Sequence, residues 1–127
     1  MKIKPIAVIY SFIIGSSMIG MWTMFLITDS IPELDTEPLR IGMHMFAELA
    51  TGVTLLIGAI GIQTKKTWGF TMYLISLGML LYTLIASPGY YADKGNILFV
   101  GMFVILLIIT IIVAVMAFVK KEDFKPN

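Results

Sequence analysis

Arg40-Ile-Gly-Met-His44-Met-Phe-Ala-Glu48 opens the second of four long apolar segments in this chain of 127 residues. Because four residues turn an α-helix slightly more than once, Arg40, His44 and Glu48 lie on one helical stripe. Glu48 is the only acidic residue well inside an apolar segment, and His44 is the only histidine in the chain. The stripe therefore predicts a polar site on a helix that is otherwise hydrophobic.

The composition indicates a single integral membrane domain over residues 1–127. Hydrophobic residues make up 58% of the chain and charged residues 13%, and the charges fall mainly at the ends of the apolar segments. Roughly 20 apolar residues are enough to cross a hydrocarbon core of ~30 Å. The segments predict an all-α fold, an antiparallel four-helix bundle with transmembrane helices at about residues 5–28, 39–63, 68–87 and 97–119.

Proline and asparagine mark the predicted helix ends. Pro5 and Pro38 suit the first turns of the first two helices, where a missing N–H costs nothing. The Ser-Pro-Gly sequence at 87–89 predicts the end of the third helix. Asn96 is the predicted N-cap of the fourth, because an asparagine side chain can accept a hydrogen bond from the first turn.

Small residues predict where helices approach closely. Ser16, Gly20 and Thr23 form a small, weakly polar stripe on the first segment, a spacing that admits a neighbouring helix. Gly58 and Gly61 in the second segment favour tight packing or a slight bend. Both segments are therefore expected to have close neighbours.

The lysine and arginine positions predict the orientation, because such residues accumulate on the cytoplasmic side. Two basic residues, Arg40 and Lys94, fall on one side of the predicted bundle. Both termini and the turn between the second and third segments are therefore predicted to be cytoplasmic, in a multi-pass protein of a prokaryotic cytoplasmic membrane. The cytoplasmic side holds Lys2, Lys4, Lys65, Lys66, Lys120, Lys121 and Lys125.

The predicted site lies in the outer half of the bundle. Glu48 is expected about 12 Å below the start of its helix, at ~1.5 Å per residue. A charged acid at the bilayer centre costs roughly 2.5–3.5 kcal/mol on insertion scales, so this carboxyl must be protonated, paired or in contact with water. We expect several helices to supply polar atoms to one ligand- or proton-binding pocket, formed by Arg40, His44, Glu48, Thr23, Tyr82 and Thr83. Ser87 falls in the same outer half of the bundle.

Several classes of chemistry lack the residues they need. The chain has no cysteine, which removes disulfides, thiolate metal sites and cysteine-attached haem. His44 and Glu48 alone fall short of the three protein ligands that a zinc site usually has. No nucleophile–base–acid set and no lysine/arginine-rich run is present. We expect no catalytic residue, no metal site, no cofactor and no nucleic-acid partner.

Three functions fit the sequence. The first is a small membrane protein that binds or transports a small ligand, ion or proton in the pocket around Glu48. The second is a non-catalytic accessory or scaffold subunit that docks through the small-residue faces of its first two helices. The third is a membrane enzyme acting on a lipid or quinone, although the sequence favours a non-enzyme. The expected partners are the lipid bilayer and either copies of this chain or a larger membrane complex.

Overall fold

The computed structural model describes residues 2–126, and this range is all-helical, without a strand. Met1 and Asn127, which end the predicted domain, lie outside the described residues. Four of the helices are long and apolar enough to cross a membrane, which confirms the prediction of four such segments. The α-helices are α1 (Ile3–Ile27), α2 (Glu33–Thr36), α3 (Pro38–Gln63), α4 (Gly69–Asp93) and α5 (Ile97–Val119), followed by a short 3-10 helix at Lys121–Phe124.

The four long helices pack in a ring. α1 packs on α3, α3 on α4 and α4 on α5, and a smaller contact between α1 and α5 completes the ring. The Tyr10 hydroxyl of α1 lies 2.6 Å from the Thr110 hydroxyl of α5 and joins these two helices. α5 has only three buried residues among those described, Thr110, Val113 and Ala117, so most of its surface faces outward.

Glycines set the closest helix approaches. A Cβ added to Gly15 of α1 would lie 2.9 Å from the carbonyl oxygen of Gly52 on α3. A Cβ added to Gly58 of α3 would lie 2.8 Å from the Cα of Tyr73 on α4, which confirms the predicted tight packing there. Gly20 has open space around it, so α1 meets α3 through Gly15 and not through the predicted stripe.

The end of α4 differs from the prediction. The helix continues through Pro88 to Asp93 instead of ending at the Ser-Pro-Gly sequence. Pro88 has no N–H to donate to the preceding turn, which weakens the helix locally. The last turns are held by tertiary contacts, because Tyr90 bonds to Glu33 of α2 and the Tyr91 ring packs against α5. These contacts offset the lost backbone hydrogen bond.

Local signals at the start of α5 act as predicted. The Asn96 side chain accepts a hydrogen bond from the Phe99 N–H at 3.3 Å, which confirms the N-cap. Gly95 has a φ of 71°, a left-handed conformation that glycine adopts without strain. The Asn96 N–H donates to the Tyr91 carbonyl at 2.9 Å, which closes the end of α4.

The main apolar core fills the half of the bundle away from α2. Tyr73, Leu55 and Leu77 are fully or almost fully buried there. Phe124, in the 3-10 helix after α5, folds back under the bundle and places its ring 4.9 Å from the Phe70 ring. With one end of the bundle filled in this way, a cavity bounded by all four long helices lies at the other end.

Candidate functional site

A cavity of about 210 Å³ lies where α1 and α4 end and α3 and α5 begin. All four long helices contribute to its wall, and the connection from Ser30 to Glu33 covers part of it. Its lining combines aromatic rings with a few polar groups. The aromatic lining residues are Trp22, Phe25, Tyr90, Tyr91, Phe99 and Phe103.

The polar part of the wall centres on Glu48. Its side chain is only 8% exposed, and its Oε1 lies 3.5 Å from the Nε2 of His44, one helical turn away. Ser87 of α4 is a polar neighbour of the same carboxyl. The Trp22 ring packs edge-on against His44 at a centroid distance of 5.7 Å. The buried Nε1 of Trp22 has no hydrogen-bond partner among the described residues.

The mouth of the cavity is held by an ion pair between α2 and the C-terminal end of α4. Lys94 donates from Nζ to Glu33 Oε1 at 2.8 Å and to the Tyr90 hydroxyl at 2.6 Å. Tyr90 in turn donates to Glu33. The hydrogen bonds from Lys94 and Tyr90 lower the pKa of Glu33 to about 2, so this carboxylate stays charged down to strongly acidic pH.

The aromatic wall is ordered by ring contacts. Tyr91 lies edge-on to Tyr90 at 5.0 Å and edge-on to Phe99 at 4.9 Å, and it stacks on Phe103 at 5.5 Å. Such pairs add stability beyond the area they bury and fix the ring planes. The wall between α4 and α5 is therefore preformed.

The structure brings together two of the six predicted site residues, Glu48 and His44, at this cavity. Arg40 points away from it, with a side chain that is 77% exposed and paired with Glu37 at 3.0 Å. The reason is proximity, because the Glu37 carboxylate lies one turn from Arg40 whereas Glu48 lies two turns away. A binding role for Glu48, His44 and Arg40 stays a prediction.

The other three predicted residues lie outside the cavity lining. The Thr23 hydroxyl donates to the Ile19 carbonyl of its own helix at 2.7 Å. Tyr82 is 75% exposed on the outer face of α4. Thr83 is buried, and its hydroxyl donates to the Leu80 carbonyl at 3.2 Å. Threonine hydroxyls commonly bond to their own helix in this way, which satisfies them without a ligand.

The sequence matches, over residues 1–127, the family model described as "Domain of unknown function (DUF8058)". The chain belongs to the DUF8058 family. No curated protein and no solved structure matches it. Between residues 2 and 126 of this DUF8058 chain, no three histidine, aspartate or glutamate side chains come together as a metal site would require.

Sequence patterns do not predict most of the residues that line the cavity of this DUF8058 chain. The sequence predicts a loop at Tyr90 and Tyr91, because the Ser-Pro-Gly sequence at 87–89 predicts the end of the third helix. Continuing the helix by two turns places Ser87 and Tyr91 on one face, four residues apart. No local sequence pattern places Glu33 at the cavity, because its ion-pair partner Lys94 is distant in sequence.

Proposed function

We propose that this chain is a multi-pass membrane protein that binds or transports a small ligand, ion or proton in the cavity around Glu48. One observation carries the proposal. The Glu48 side chain is almost fully buried and lines a cavity bounded by all four long helices. Polar and ionisable groups inside a membrane are costly and are retained mainly where they function.

The surface of the bundle supports membrane insertion. Large apolar side chains are exposed along all four long helices, and most of the outward face of α5 is aliphatic. In water such a surface would drive association, whereas lipid tails cover it without cost. Each of the four long helices has 23 to 26 residues, enough to cross the hydrocarbon core.

The charge distribution supports an orientation with both termini in the cytoplasm. The connection between α3 and α4 carries Lys65 and Lys66, and the chain after α5 begins with Lys120 and Lys121. Basic residues near helix ends favour the cytoplasmic side. In this orientation the cavity opens on the outer side, and Glu48 meets a ligand that arrives from outside the cell.

Two serines of α4 provide a matched test. Ser87 lines the cavity, whereas Ser76 lies three turns away, is fully buried and bonds to the Tyr73 carbonyl at 2.6 Å. Because the chain has no cysteine, Ser87→Cys and Ser76→Cys each introduce a single thiol through a nearly isosteric change. Both variants are expressed in a bacterial membrane, and intact cells are treated with membrane-impermeant (trimethylammonium)ethyl methanethiosulfonate.

We expect Ser87→Cys to be modified from outside the cell and Ser76→Cys to stay unmodified until the protein is unfolded. That pattern supports both the orientation and the open cavity. Equal protection of the two thiols in folded protein would overturn the proposed pocket. Modification of Ser87→Cys only in inside-out vesicles would overturn the orientation.

A further inference from the structure

The ionic partners around the cavity leave Glu48 as its least compensated carboxyl group. Arg40 pairs with Glu37 outside the cavity, and Lys94 is engaged by Glu33 and Tyr90 at the mouth. Among the described residues, the one basic group in contact with Glu48 is the His44 imidazole, at 3.5 Å and 42% exposed. A carboxylate in this position attracts a positive charge from a ligand.

The aromatic lining specifies what kind of positive charge fits. Six aromatic residues line the same cavity as Glu48, and the negative face of an aromatic ring attracts cations, most strongly where water is excluded. The structure already contains one example, because Lys94 Nζ lies 4.3 Å from the centroid of the Tyr90 ring. A metal ion would leave these apolar walls unused, whereas an organic cation can contact both walls and carboxylate.

Resting on the proposed pocket, we propose that the ligand is a small organic cation, an ammonium whose nitrogen carries methyl or methylene groups. Its charge lies beside the Glu48 carboxylate, and its alkyl groups contact rings such as Trp22 and Tyr91. The cavity of about 210 Å³ restricts the part of the ligand it encloses to a small headgroup.

Choline and 3,3-dimethylbutan-1-ol test the charge directly, because they differ only in having N⁺ or carbon at the centre of the same shape. The protein is purified in dodecyl maltoside, which contains no ammonium group. Trp22 lines the cavity and serves as the fluorescent reporter, and Trp68→Phe removes the other tryptophan, which lies at the opposite end of α3 and α4. Each compound is titrated while the Trp22 emission is recorded.

We expect choline to change the Trp22 emission saturably and the neutral alcohol to bind at least tenfold more weakly. Glu48→Gln should weaken choline binding about tenfold to a hundredfold, within the range for the Coulomb energy of a partly buried charge pair. Glu37→Gln is the matched control, since it makes the same change at the N-cap of the same helix, outside the cavity. Tyr91→Leu, which keeps the carboxylate and removes one ring, should weaken binding several-fold.

The labelling rates of Ser87→Cys provide a second measure of charge selectivity. The cationic (trimethylammonium)ethyl reagent should react faster than the anionic sulfonatoethyl reagent, after correction by their rates with free cysteine. Adding Glu48→Gln should reduce that ratio at least fivefold. Equal corrected rates, or equal binding of choline and its neutral analogue, would overturn the cation assignment and leave the pocket in place. A Ser87→Cys thiol closed to both reagents would instead overturn the pocket.

The same ammonium chemistry occurs in soluble cations and in lipid headgroups. Short-chain phosphatidylcholine and phosphatidylglycerol are therefore added as competitors during the choline titration. Displacement by phosphatidylcholine alone supports a lipid headgroup as the ligand, and displacement by neither supports a soluble cation. Displacement by both lipids to the same extent would overturn the ammonium assignment, because the two share only the glycerophosphate and the acyl chains.

Discussion

Replacing Gly58 by alanine tests how closely α3 and α4 must approach. A Cβ at this position would lie 2.8 Å from the Cα and 3.0 Å from the N of Tyr73. Both are backbone atoms, so no side-chain rotation relieves the overlap. Ordinary contacts of a Cβ begin at 3.4 Å, which requires the two helices to separate by several tenths of an ångström.

Two opposing contributions decide how far Gly58→Ala changes the free energy of unfolding. Forcing an extra methyl group into a close-packed contact costs about 1–3 kcal/mol. Alanine gains about 1 kcal/mol over glycine inside a helix. Gly78→Ala in α4 provides the matched control, because that position has open space around it. The helix-forming gain is the same in both variants, so Gly58→Ala should be about 1–3 kcal/mol less stable than Gly78→Ala.

The free energy of unfolding can be compared in mixed micelles. Both variants and the parent are titrated with sodium dodecyl sulfate in dodecyl maltoside, and helix content is followed by circular dichroism. We expect Gly78→Ala to unfold at the same or a higher mole fraction than the parent, and Gly58→Ala at a lower one. If Gly58→Ala is as stable as Gly78→Ala, the close contact with Tyr73 does not limit the helix approach.

Two further predictions concern the ends of the bundle. Glu33 has a pKa lowered from 4.5 to about 2, so its ion pair with Lys94 stabilises the fold above pH 4.5 and is lost as the pH falls towards 2. Because the ion pair is partly exposed, its contribution to the free energy of unfolding should be about 1 kcal/mol. Thermal unfolding measured over this pH range should therefore show the parent losing about 1 kcal/mol more stability than Glu33→Gln. Parallel plots of stability against pH for the two proteins would refute the effect. Phe124→Ala removes a buried ring worth about 3 kcal/mol and should expose the C-terminal tail to trypsin. Phe118→Ala, at an exposed position of α5, should leave the tail protected, and equal digestion of both variants would contradict the docking of Phe124.

Part of the site was predictable because its signal is local. Glu48 and His44 are one helical turn apart, so their contact follows from the helix geometry alone. Arg40 shares their stripe, yet it pairs with the nearer Glu37. Helical periodicity gives the direction in which a side chain leaves the helix, but a flexible arginine then selects the closest available acid.

The lining from α4 and α5 could not be predicted in the same way. A proline followed by glycine commonly ends a helix, and the sequence alone offers no reason to continue past Pro88. The continuation depends on contacts of Tyr90 with Glu33 and of Tyr91 with Phe103, residues far apart in the chain. These contacts exist only once the helices have packed.

The sequence by itself determined the four long apolar helices and the Asn96 cap, since each depends on residues within one segment. Only the tertiary structure decided that α4 extends to Asp93 and that α1 meets α3 through Gly15. The cavity too was decided by the tertiary structure, because its walls come from separate segments of the chain. Its position depends on which helix faces meet, and side-chain packing between helices selects those faces.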